Sequence, residues 1–189
     1  MNIFEIIGWL GSFIYILSYF LLAYKIIDTG KFYYLLNKIA AALIVIISFM
    51  KNTFQPIVIN SIWLYISYMA YHQKEIRISF LNSYFLHLGS LLLLFISSIY
   101  LFIDMEISFE IFAWFSVFAF SISYFLYSMK NINEKTFHFY NCLAALSLIP
   151  KMILFENYQV VFLEVLWAFF ALQAYIKHSK NNNYLTLCS

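Results

Sequence analysis

The chain reads as seven apolar runs separated by short polar breaks: IDTG, KNT, HQKE, DME, NINEK and EN. A helix rises 1.5 Å per residue, so about 20 apolar residues cross the hydrocarbon core of a bilayer. The runs predict helices over Ile3–Tyr24, Phe32–Met50, Phe54–Tyr71, Ile78–Ile103, Ile107–Met129, Thr136–Phe155 and Tyr158–Ile176. Each break is short enough only for a tight connection between neighbouring helices. Pro56 falls in the first turn of the third run, where a missing N–H is harmless. Pro150 lies inside the sixth run and predicts a kink there. The end, SKNNNYLTLCS, is polar at first and is expected to be disordered.

Composition agrees with this pattern. Hydrophobic residues make up 64% of the 189 and charged residues 11%, against about 25% charged in soluble domains. The first five residues hold no Lys or Arg, so a cleavable signal peptide is not expected. Charge placement then orients the helices. Lys25, Lys31, Lys38, Lys74, Arg77, Lys130, Lys135, Lys177 and Lys180 fall on one side, and Lys51 and Lys151 on the other. This asymmetry places the N-terminus outside and the C-terminus in the cytoplasm.

The chain also repeats itself. Shifted by 105, Phe4, Glu5, Ile6, Trp9, Phe13, Ser18, Tyr19, Phe20, Leu21 and Lys25 recur as Phe109, Glu110, Ile111, Trp114, Phe118, Ser123, Tyr124, Phe125, Leu126 and Lys130. After a one-residue gap, Asn37, Gln55, Trp63 and Tyr71 fall on Asn141, Gln159, Trp167 and Tyr175. All four Trp residues lie in such pairs. The expected class is an all-α membrane protein with seven transmembrane helices, made of two parallel three-helix repeats joined by one linker helix. The boundaries are 1–75 for the first repeat, 76–104 for the linker, 105–178 for the second repeat and 179–189 for a cytoplasmic tail. Three helices per repeat is an odd number, so the single linker restores the orientation of the second repeat. The repeats are then related by an axis along the membrane normal.

This 3+1+3 plan, with an outside N-terminus, resembles the SWEET and PQ-loop superfamily of transporters. The first repeat, with G-W-L-G, Y-F-L, L-L-N-K-I-A-A and N-S-I-W, is also similar to a group of small bacterial membrane proteins of unassigned function. The resemblance implies alternating access between the repeats and a bacterial inner-membrane location. It also implies a pocket asparagine on the third helix of a repeat, which Asn60 matches.

Polar residues inside the apolar runs are the candidate chemistry, because buried polar groups are costly in lipid and face the bundle or a cavity. Asn60 and Glu164 lie roughly 5 Å outward of the midplane, and Asn37 and Asn141 roughly 7 Å inward of it. Trp63 and Trp167 follow Asn60 and Glu164 on the same helix faces, too deep for an interfacial belt. The substrate-binding candidates are thus Asn37, Asn60, Trp63, Asn141, Glu164 and Trp167. Tyr19, Tyr124 and Lys151 are candidates for a pathway or gate. Glu164 breaks the repeat symmetry. It reads as a ligand- or proton-binding carboxylate, or as half of a buried pair with Lys151, or as a protonated, hydrogen-bonded acid.

Several residues have plainer readings. Gly8, Gly11, Tyr15 and Ser18 form a stripe of close helix contact, repeated as Ala113, Ser116, Phe120 and Ser123. Trp9 and Trp114 suit interfacial anchoring, and Glu5 and Glu110 suit helix N-termini. Asn82 and His87 lie on the linker helix, and His87 reads as a hydrogen-bonded packing residue. Cys142 and Cys188 are expected to be free thiols. No P-loop, dinucleotide glycine motif, nucleophile elbow or metal-spaced Cys/His set is visible, so neither an enzyme nor a cofactor or metal is expected. The expected partners are the lipid bilayer and a small polar solute, with no nucleic acid and with homo-oligomerisation left open. The leading function is transport of that solute. The alternative is a non-transporting receptor or partner-binding protein that uses the cytoplasmic lysines.

Overall fold

The computed structural model describes residues 3–23, 26–27, 30–72, 81–128 and 130–187. It holds seven helices: α1 Ile3–Ala23, α2 Lys31–Met50, α3 Phe54–Tyr71, α4 Ser83–Tyr100, α5 Met105–Ser128, α6 Glu134–Leu154 and α7 Tyr158–Leu187. Tyr24, Lys25, Lys74, Arg77, Met129, Cys188 and the expected boundary between residues 75 and 76 lie outside the described residues. Six helices are long and apolar enough to cross a membrane, as an integral membrane protein requires. The shortfall is α3, where Gln55, Asn60, Ser61, Ser67 and three tyrosines dilute the apolar residues.

The polar breaks act as helix starts. Asn82 Oδ1 accepts the Phe85 N–H at 2.9 Å, Asp104 Oδ1 accepts those of Glu106 and Ile107, and Asn133 Oδ1 accepts that of Thr136. Such caps satisfy N–H groups that the first turn leaves without partners. This corrects two expectations about the linker helix. Asn82 precedes α4 in extended backbone instead of lying within it. The helix is also shorter than Ile78–Ile103: it starts at Ser83, and Leu101–Ile103 turn away from it. A third expectation is reversed at the C-terminus, where α7 runs on as helix to Leu187 instead of ending near Ile176. No Gly or Pro interrupts it, and extending an existing helix costs far less than starting one.

Packing gathers the chain into two compact units. One holds residues 1–77 and 149–163, the other 78–148 and 164–189. The units cut across the repeats, because α6 and α7 each contribute to both. Within the first unit α1 lies hard against α2. A Cβ on Gly11 would sit 2.9 Å from Leu43 Cβ, and one on Gly8 2.9 Å from Ile47 Cγ1. The stripe of close contact is therefore real on this helix. The first residues of α7 join the unit through Ser12, whose hydroxyl donates to the Gln159 carbonyl at 2.9 Å, and through Trp9, whose ring lies 5.4 Å from that of Phe162.

Within the second unit α4 packs on α5. The Ser97 and Ser108 hydroxyls each donate to the other's backbone carbonyl at 2.9 Å. His87 Nδ1 lies 2.6 Å from the Tyr140 hydroxyl, the hydrogen-bonded packing role expected for it. The outer face of α4 carries Leu88, Leu91 and Phe95, all exposed, a surface suited to lipid tails.

Local geometry recurs at the repeat spacing. Ile26 N–H donates to the Leu21 carbonyl, and Asn131 N–H to that of Leu126. After α2, Asn52 takes a φ of 53° and Thr53 N–H returns to the Ser48 carbonyl. After α6, Glu156 takes a φ of 51° and Asn157 N–H returns to the Met152 carbonyl. Lys31 lies over the Tyr71 ring and Lys135 over the Tyr175 ring, at 5.9 and 5.3 Å. Each of these pairs is separated by the 104 or 105 residues of the sequence repeat.

Candidate functional site

The candidates divide between the units. Tyr19, Asn37, Asn60, Trp63 and Lys151 belong to the first, and Tyr124, Asn141, Glu164 and Trp167 to the second. Asn37, Asn60, Trp63, Asn141 and Glu164 are buried, while Trp167, Tyr19, Tyr124 and Lys151 are half-buried. Helix periodicity explains this, since each buried candidate sits on the helix face that also buries small residues.

In the first unit Asn60 is saturated. Its Oδ1 accepts the Tyr15 hydroxyl at 2.9 Å, and its Nδ2 donates to the Pro56 carbonyl at 2.9 Å. The second bond is a side chain reaching the backbone carbonyl one turn back in its own helix. Asn37 Nδ2 likewise donates to the Tyr33 carbonyl one turn back. Lys151 holds its ammonium 4.8 Å from the centre of the Phe155 ring, a cation–π arrangement one turn along α6.

In the second unit Asn141 repeats the bond of Asn37, with Nδ2 donating to the Phe137 carbonyl at 2.9 Å. It has two further neighbours. The indole N–H of Trp167 donates to Asn141 Oδ1 at 3.2 Å, and Ser123 Oγ lies 3.5 Å from Asn141 Nδ2. The structure therefore joins Asn141 and Trp167 directly.

Glu164 differs from its repeat mate in its surroundings as well as its charge. Tyr15, the partner of Asn60, corresponds to Phe120, which has no hydroxyl. Glu164 Oε2 is buried and meets no hydrogen-bond partner among the described residues. An unsatisfied buried acceptor costs about 1–3 kcal/mol, more when charged. Ser116 and Ser121 hydroxyls on α5 are in the same condition. Among the described residues no three His, Cys, Asp or Glu side chains gather as a metal site would need.

Sequence reasoning did not pair Tyr15 with Asn60. It also passed over Ser12 on the Gln159 carbonyl, the Ser97–Ser108 pair, and the pair Thr53–Asn157, joined at 3.0 Å from Asn157 Nδ2 to Thr53 Oγ1. The signal for Tyr15 was present: positions 15 and 60 change together in the second repeat, to Phe120 and Glu164. Trp114 donates its indole N–H to Glu110 at 2.9 Å and is exposed; α5 starts at Met105 and holds Glu106 in its first turn, so Glu110 serves this side chain and not the helix N-terminus expected for it. Cys142 is free.

A family model matches residues 4–74 and again 109–182, together well over half of the chain. No curated protein and no solved structure matches it. The chain belongs to this family, an uncharacterised bacterial one.

Proposed function

We propose that this member of an uncharacterised bacterial family carries a small polar solute across the membrane, by alternating access between its two three-helix repeats. In this reading α3 is a seventh span, and the repeats are parallel and joined by α4 as in SWEET-like proteins. The N-terminus lies outside the bacterial inner membrane and the C-terminus in the cytoplasm. The observation that carries the proposal is a polar set that recurs at corresponding depths in membrane-length helices. Asn37 and Asn141 hold the same backbone bond, and Trp63 and Trp167 stand at matching positions. Such polar groups are expensive in a bilayer, and transporters place them near its midplane at the interface of their repeats.

The two repeats differ where a single solute would need them to differ. Asn60 is closed by its own neighbours, while Glu164 has an open oxygen. In this reading substrate contact falls mainly on Glu164 and Trp167, while Asn60 and Asn141 tie their helices to neighbours. Tyr19, Tyr124 and Lys151 flank the route. The test is solute counterflow into liposomes carrying the purified chain, with a panel of small labelled polar solutes. Saturable uptake of at least one, lost when Trp167 and Glu164 are replaced together by Leu and Gln, is the expected result. Uptake no faster than in protein-free liposomes across the panel rejects the reading.

One observation favours a second reading, a receptor or partner-binding protein that transports nothing. Lys31 and Lys38 both lie over the Tyr71 ring, and Lys135 over that of Tyr175, so each repeat presents an ordered basic and aromatic group at one end. Under that reading, replacing these lysines abolishes partner capture, and counterflow is absent from the wild-type chain.

A further inference from the structure

In the first repeat a polar residue of the third helix bonds a residue of the first, and the two corresponding positions of the second repeat carry a different pair. At 60 and 15 the polar atoms close on one another: Asn60 uses Oδ1 on the Tyr15 hydroxyl and Nδ2 on the Pro56 carbonyl. At the corresponding 164 and 120, an acid replaces the amide and phenylalanine replaces the tyrosine. Both changes act in one direction. The first adds a carboxyl group that needs donors, and the second removes the donor that the repeat supplies elsewhere. Glu164 is only 7% exposed, and its Oε2 has no partner among the described residues. Ser116, one turn before Phe120 on the same stripe of α5, is fully buried and its hydroxyl is also unpartnered.

A packing role alone does not account for this. Buried polar groups are nearly always hydrogen-bonded, and an orphan usually marks a place where something else binds. An ionised carboxylate accepts hydrogen bonds and donates none, so its complement is a group with several N–H donors. In surroundings of low dielectric, that complement is strongly favoured if it is also positively charged.

We infer that Glu164, left open by Phe120, is the recognition point for a small organic ammonium ion, with the Ser116 hydroxyl available to a second polar group of the same solute. This deepens the transport reading and rests on it for the fate of the solute, but the binding step stands by itself. It also assigns Phe120 a specificity role, because a hydroxyl there would occupy the acid.

The test uses the full chain purified in detergent and three solutes of similar size: ethanolammonium, ethylene glycol and glycolate. A ligand that binds only the folded state raises Tm with its concentration. Ethanolammonium is expected to raise Tm, and the neutral and anionic solutes are not. Glu164→Gln removes the charge, and Phe120→Tyr keeps the charge but offers it an internal donor. Each is expected to weaken ethanolammonium at least tenfold. If either variant fails to fold, Phe120→Tyr combined with Glu164→Asn, the pair already present at 15 and 60, takes its place with the same expectation.

No stabilisation by ethanolammonium, equal stabilisation by all three solutes, or unchanged affinity in the folded variants overturns the inference. Counterflow separates the two proposals. Ethanolammonium that binds through Glu164 but is not carried leaves this inference standing and removes transport. Carriage of ethylene glycol, with ethanolammonium neither bound nor carried, does the reverse.

Discussion

A single methyl group decides the contact between α1 and α2. The Cβ that Gly11→Ala adds would lie 2.9 Å from Leu43 Cβ and 3.3 Å from the Ala40 carbonyl oxygen, inside ordinary contact distance. Both neighbours are anchored to helix backbone and cannot swing aside. The substitution is expected to lower stability by about 1–3 kcal/mol, read as a fall in Tm of the purified chain. The corresponding position, Ser116, already carries a Cβ and is fully buried, so Ser116→Ala should be tolerated. At Glu164 the expected sign is different. Its Oε2 has no donor to lose, so Glu164→Gln should change stability by less than about 1 kcal/mol. A fall of about 3–5 kcal/mol would identify it as half of a buried ion pair instead.

Helix ends and turns carry the next set of consequences. Asn82 caps α4, so Asn82→Ala should cost about 1 kcal/mol and Asn82→Asp should cost little. Asn82→Leu separates this role from the place inside the helix expected on the sequence alone. A residue facing lipid inside a helix would be stabilised by leucine, whereas a lost cap lowers Tm. The turns after α2 and α6 share their positive-φ residue and their returning N–H, and the side chains of Thr53 and Asn157 join them. Both residues are fully buried. A double-mutant cycle with Thr53→Val and Asn157→Ala should return a coupling of about 1 kcal/mol, and additivity of the two losses would show that the bond contributes nothing.

For the molecule as a whole, the charge asymmetry predicts a topology that reporters can test. Asp104 precedes α5, on the side expected to hold only Lys51 and Lys151. A reporter fused there should be active only outside the cytoplasm, and one at the C-terminus only within it. A cytoplasmic signal at 104 refutes that orientation. The family model matches two stretches that begin 105 residues apart, and the Trp pairs, the turns and the Lys–Tyr contacts recur at 104 or 105 residues. Packing follows a different division, because residues 149–163 gather with the first helices and residues from 164 onward with α4 and α5. Descent from a duplicated sequence and cohesion of the folded chain are separate properties, and α6 and α7 are where they part.

The sequence by itself determined the helices. Apolar runs broken by short polar clusters leave the backbone few other ways to satisfy its hydrogen bonds in an apolar setting, so most helix ends fall within about two residues of those expected. It failed at Asn82 and beyond Ile176, where apolarity is a poor guide: a cap is a polar residue that belongs to a helix without lying in it, and a helix once formed continues through polar residues. It also showed which polar residues enter the membrane-length segments, since their cost in lipid makes them stand out by type alone. What it left undetermined is which of them are already occupied. Asn60 and Glu164 look alike as polar intruders, and only the packed structure shows Asn60 closed by Tyr15 and Pro56 and Glu164 with a buried oxygen left open. Hydrogen bonds act over about 3 Å between residues far apart in the chain, and that proximity is created by helix packing, not by composition or periodicity.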